Sequence, residues 1–329
     1  MTIPLEPEKP FTGRADHVDG EYDDLIELCE GTVSTAGLHL VAHYHLGIWD
    51  FVVDVLGQDE LVDALPGTRT ADAFRRELLR IGRRLNGTVH RLDYALSAVD
   101  SGRLIRTVFD LGSRAVYHYP VRRDQYLLGA TLRGDLVGTA DAAMANLVER
   151  VRDMRRLAPQ NPGGFTTTFK VTYDAATAQE PVVAHVSQPG DEEVQEQCAN
   201  VLDPENVHYV SLFRDGVLRL AVDCLDHPAL RNFHQRVTPE DRRTGYLHVA
   251  NLVQMVTAQF NLRESSLLDG RVTRTVLDVE EGALSCFTIR EEPARIMLVG
   301  ITLDQRKVDV ADHELCHLAA TLRELADRI

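Results

Sequence analysis

Of the residues in this 329-residue chain, His313-Glu314-Leu315-Cys316-His317 have the types and spacing that point most directly to chemistry. Histidines four apart share one side of an α-helix, where both imidazoles can bind one zinc ion while the glutamate takes a proton from a metal-bound water. Taken alone, the pattern predicts a zinc-dependent hydrolase with ligands His313 and His317 and base Glu314. A catalytic zinc needs a third protein ligand, and only twelve residues follow His317, most of them in the same helix. On that helix Ala311, Leu315, Leu318, Leu322 and Leu325 form the apolar stripe, which places both histidines opposite it, toward solvent or an interface. Two other sets call for placement. His39, His43 and His45 alternate along a β-rich run and project from one sheet face, as a metal pair or as a solvated or interface face. In Phe74 to Leu85 a buried stripe of Phe74, Leu78, Ile81 and Leu85 leaves Arg75, Arg76, Arg80, Arg83 and Arg84 on the other side. Those arginines either pair with Glu77 and nearby acids or present a positive surface to an acidic partner or to another part of the chain.

The elements that must position these residues come from a repeat. Gly102-Arg-Leu-Ile-Arg-Thr-Val-Phe-Asp110 returns as Gly270-Arg-Val-Thr-Arg-Thr-Val-Leu-Asp278. Upstream, Leu38-His39-x-Val41 and Val53-Asp54-x-Leu56 parallel Val207-His208-x-Val210 and Val222-Asp223-x-Leu225. Downstream, Leu128-Gly129 parallels Val299-Gly300, and Ala140-Asp141 parallels Ala311-Asp312. The order never scrambles, so the chain reads as one domain encoded twice.

Periodicity predicts helix, two strands, helix, three strands, helix in each copy, an α+β class with antiparallel five-stranded sheets flanked by helices. The expected helices are 22–33, 71–85 and 139–155 in the first copy, and 191–202, 244–260 and 308–325 in the second. Residues 1–20 are expected to be disordered, 21–157 to form the first module, 158–189 a linker with an extra edge strand at Phe165 to Tyr173, and 190–329 the second module. The repeat also bears on zinc. It sets His313 to His317 against Ala142-Ala143-Met144-Ala145-Asn146, so the closing helix recurs without its ligands.

This order of elements resembles the roadblock (dynein light chain) family, especially its bacterial members. The likeness is carried by Phe213-Arg-Asp-Gly216-Val-Leu-Arg-Leu in the hairpin and by Leu128-Gly-Ala-Thr-Leu132 leading into Val137 to Val151. The resemblance implies a non-enzymatic scaffold or regulator of a Ras-like small GTPase, with two modules forming an intrachain pseudo-dimer or a homodimer and no cofactor. Its partner contacts would include the arginine-bearing helix. His45-Leu46-Gly47-Ile48 departs from the expected Asp-Gly turn. A third reading is a structural self-assembly module acting through exposed sheet edges. Cys286 upstream of the closing helix is similar to the cysteine of the deformylase arrangement, without that family's other signatures.

Composition narrows the partners. Asp plus Glu number 50 against 35 Lys plus Arg, a net charge of -15 that repels a phosphate backbone and argues against nucleic acid. No leader or membrane span is evident, so the expected compartment is the cytoplasm. Five scattered cysteines read as reduced, buried thiols. Neither a phosphate-cradling glycine loop nor a nucleophile elbow occurs, which argues against a GTPase, dinucleotide enzyme or serine hydrolase.

Overall fold

The computed structural model describes residues 9–67, 69–165 and 182–329, and within these the side chains of 263–267 are not described. Of the described residues, helix makes up 42% and strand 26%, with antiparallel pairing, which is the α+β class. Packing divides the described residues into two compact units that do not follow a straight cut of the sequence. Unit 1 takes Met1–Gly87, Asp110–Pro159 and Arg263–Arg271; unit 2 takes Thr88–Phe109, Gln160–Leu262 and Val272–Ile329. No helix among the described residues is long and apolar enough to cross a membrane.

In unit 1 the sheet runs β1 (Phe11–Arg14), β3 (Ile48–Asp54), β2 (Leu40–His45), β6 (Gln125–Thr131), β5 (Ala115–Arg122). One face carries α1 (Asp23–Glu30) and α4 (Val137–Met154), onto which Tyr117 and Tyr119 donate hydrogen bonds at the Val137 carbonyl and the Asp141 carboxylate. The other face takes the first part of α3 (Ala71–Ser97), where Tyr44 donates to the Leu79 carbonyl at 2.8 Å. A short α2 (Asp59–Val62) precedes α3. Helix α3 begins where Thr70 Oγ1 accepts from the Ala73 amide, and it runs twelve residues beyond the expected Leu85. Gly87 breaks the apolar pattern, but Val89, Leu92, Leu96 and the rest of a buried stripe carry the helix on. The strand β4 (Leu104–Asp110) follows.

Unit 2 contains the sheet β10 (Arg274–Val279), β11 (Gly282–Arg290), β12 (Ile296–Thr302), β8 (Tyr209–Arg214), β9 (Val217–Asp223), β7 (His185–Gln188). Helices α5 (Glu192–Asn200) and α7 (Val308–Glu324) bury Val194, Cys198, Leu315, Leu318 and Leu322 against Leu212, Leu220, Phe287 and Leu298. Helix α6 (Pro239–Leu268) covers the opposite face with Tyr246, whose ring lies 5.6 Å from that of Tyr209.

The repeat written in the sequence reappears as matched register. Val41 pairs with Gly129 and Leu40 with Asp54; Val210 pairs with Gly300 and Tyr209 with Asp223. A β-bulge falls between His43 and Tyr44 and again between Leu212 and Phe213. A second falls between Pro120 and Arg122 and again between Thr288 and Arg290. Both hairpins use two left-handed central residues, Leu46 (φ 52°) with Gly47 (φ 77°) and Asp215 (φ 52°) with Gly216 (φ 80°), the turn that matches strand twist. The expected difference between the hairpins is therefore one of side chain and not of backbone. Gly129 and Gly300 let a helix approach closely: a Cβ would stand 2.6 Å from Met144 Sδ and 2.3 Å from Leu315 Cδ2.

Two edge strands depart from expectation. Phe11–Arg14, inside the stretch expected to be disordered, forms β1, pairing Phe11 with Asp54. The edge strand from 158–189 is β7, pairing His185 with Asp223 at the matching position. The expected strand at Phe165 to Tyr173 lies, after Phe165, outside the described residues.

Candidate functional site

Helix α7 directs the histidine pair outward, as its leucine stripe requires. His313 and His317 are both exposed, their Nε2 atoms lie 3.1 Å apart, and their rings meet edge-on with centroids 4.6 Å apart. Glu314 points elsewhere, its Oε1 accepting from Asn206 Nδ2 at 3.4 Å. Burial, with Asp203 adding to it, raises the Glu314 carboxyl above the ordinary value. Cys286 is buried on β11, and burial pushes its thiol up to about 12, far from a thiolate ligand. Among the described residues no group of three or more His, Cys, Asp and Glu side chains is arranged to hold a metal ion. Among the described residues the geometry thus supplies two ligands without a third, and a glutamate turned from the pair toward Asn206. The hydrolase constellation is not assembled.

His39, just before β2, and His43 and His45 within it do not act together, because each is taken by its own partner. His39 is buried; the Leu132 amide donates to its Nδ1 at 2.9 Å, and its Nε2 donates to the Thr35 carbonyl at 3.1 Å. His208 makes the same pair of bonds with Leu303 at 2.9 Å and Pro204 at 3.0 Å. Burial lowers both to about 4, so each imidazole is a neutral crosslink. His43 is buried, stacks on Phe51 and donates to Asp50 Oδ2 at 2.6 Å, while half-exposed His17 reaches Asp50 Oδ1 at 2.9 Å. Burial alone would raise the Asp50 carboxyl, but the hydrogen bonds from His43 and His17 hold it below its ordinary value. His45 lies at the hairpin end, 3.3 Å from Asp124. The bulge beside His43 inserts Asp50 into β3 and leaves β2 in unbroken register with β6, so the alternation along β2 is kept and separate partners, not the bulge, set the histidines apart.

The arginine set splits. Arg75 is buried, contrary to its expected place on the solvent side: it donates to both oxygens of fully buried Asp54 at 2.5 and 3.0 Å, pairs with Asp72, and carries the Phe11 ring 3.6 Å away. One turn into the helix, its side chain falls over the sheet edge where the Asp54 carboxylate needs a counter-charge. The second unit repeats the device with Arg243, which holds buried Asp223 at 2.7 and 2.8 Å and Asp226 beside it. Arg76, Arg80, Arg83 and Arg84 are exposed on the outer face of α3. Glu77, the acid expected to neutralise them, pairs with Arg69 at 3.1 Å. At the matching places α6 carries Thr244, His248, Asn251 and Leu252, so the cationic face belongs to one copy alone. Beside it, the Gly47 turn lies against Asn86 of α3 and presents exposed Leu46 and Ile48.

Reasoning from sequence missed Asp54, Asp223 and Asp50 as structural acids. The recurring Asp-x-Leu at two strand ends was the available signal for the first two: each Oδ1 accepts from the leucine amide, Leu56 or Leu225, at 3.1 Å. No family model matches the chain, and no curated protein matches it.

Proposed function

We propose that the chain is a non-enzymatic scaffold or regulator built from two roadblock-like modules, which binds a Ras-like small GTPase or a related signalling partner. One observation supports this most: four exposed arginines on α3 within a protein of net charge -15, beside a turn with exposed Leu46 and Ile48. A concentrated charge opposite in sign to the rest of the surface steers an acidic partner to one place, and an apolar rim beside it adds area to bury. The matched strand order and register of the two copies is consistent with a duplicated module. The roadblock resemblance of the sequence suggests the partner class. Because only the first copy carries the arginine face, one partner binds per chain. No cofactor takes part in this reading, and its setting is the cytoplasm.

The test is binding of purified small GTPases, each loaded with GDP or with a non-hydrolysable GTP analogue, to the full chain. A one-to-one complex should form with at least one of them and weaken as salt rises. Failure of every GTPase in both nucleotide states would overturn it.

A further inference from the structure

The motif that the proposed function leaves unused is the histidine pair on α7. We propose that His313 and His317 form a two-histidine site for a divalent transition-metal ion on the surface of unit 2, a proposal that does not depend on the α3 reading. Metal-to-imidazole bonds of about 2.0–2.1 Å, opened by an angle between octahedral and tetrahedral, set the two nitrogens about 2.9–3.4 Å apart. The Nε2 atoms already stand at 3.1 Å, on one helix, both exposed. That contact is an Nε2···Nε2 hydrogen bond, which a metal ion would replace: the donor imidazole moves its proton to Nδ1 and each Nε2 turns a lone pair to the ion, with the spacing of the two nitrogens kept.

Ligand chemistry selects the ion. Two neutral imidazoles suit Zn²⁺, Ni²⁺, Co²⁺ and Cu²⁺, whereas Mg²⁺ and Ca²⁺ require oxygen ligands. Two protein ligands leave the remaining positions to water or to a donor group from a second molecule. The bound ion has no base from this chain, because Glu314 is turned to Asn206. Its role is therefore binding or bridging and not hydrolysis. The first copy has no counterpart, with Ala142 and Asn146 at the matching places, so the site belongs to one end of the chain.

The experiment is titration of the untagged full chain with Co²⁺ and Cu²⁺, followed by their visible absorption, and with Zn²⁺ by calorimetry. Wild type is expected to bind one ion with imidazole-type spectra. His313→Ala and His317→Ala are each expected to weaken binding at least tenfold. Neither exposed residue is part of the core, so both variants should keep the wild-type circular dichroism and melting temperature in metal-free buffer. A Cys286→Ser variant should bind like wild type, and excess Mg²⁺ should not compete. The proposal is overturned if either histidine variant binds as tightly as wild type, or if binding follows Cys286.

Discussion

Lowering the pH should weaken this fold through His39 and His208 before its carboxylates take part. Each imidazole is fully buried, accepts a backbone amide at Nδ1 and donates at Nε2, so protonation would break a hydrogen bond and bury a charge. Burial lowers both from 6.5 to about 4. The sign follows from the depressed folded value: the unfolded chain takes up protons first, so this stability is complete above about pH 6.5. It declines as the pH falls and levels off below about 4. At pH 5 an unfolded imidazole is almost wholly charged and the folded one almost wholly neutral, which corresponds to about 2 kcal/mol per histidine. Together the two remove about 4 kcal/mol, a large part of the 5–15 kcal/mol typical of a folded domain. Urea unfolding at pH 7.5 and pH 5, comparing wild type with His39→Gln/His208→Gln, isolates the effect. The variant should be less stable at pH 7.5 but lose about 4 kcal/mol less between the two pH values. Equal losses, or two more imidazole proton resonances moving near pH 6.5 in wild type than in the variant, would refute the reasoning.

Other substitutions probe the packing and the turns. Gly300→Ala drives a Cβ to within 2.3–2.9 Å of Leu315 Cδ2, Cδ1 and Cγ, and should cost about 1–3 kcal/mol; Gly129→Ala, facing the more flexible Met144, should cost less by the same unfolding assay. Leu46→Asp places at a φ of 52° the residue type found at Asp215, and should raise stability by about 1 kcal/mol by chemical denaturation. Arg243→Leu leaves Asp223 buried without its main cation and should cost about 3–5 kcal/mol, whereas Arg76→Ala should change stability by less than about 0.5 kcal/mol.

Much of the fold was legible because its signals are periodic. The leucine stripe of α7 placed His313 and His317 outside, and the Asp215-Gly216 pair marked its turn. What escaped depends on contacts distant in sequence. β1 is only four residues in a polar stretch, and its place is set by register with β3. Arg75 sits one residue before Arg76 with the same side-chain type, yet only the first reaches a buried carboxylate 21 residues upstream. The histidines in and beside β2 are set apart by partners on other elements, the Leu132 amide for His39, Asp50 for His43 and Asp124 for His45, which their spacing does not show. The arginine face of α3 was legible apart from Arg75, since a helical wheel separates it from Phe74, Leu78 and Ile81.

Charge reversal on α3 distinguishes a partner surface from a face that is only solvated. Small GTPases in GDP and GTP-analogue form would be titrated against wild type and against Arg76→Glu/Arg80→Glu/Arg83→Glu/Arg84→Glu, with the fold of the variant confirmed by its melting temperature. Wild type should bind, and binding should be weakened at least a hundredfold in the folded variant. Equal binding by both proteins would contradict a partner surface on α3.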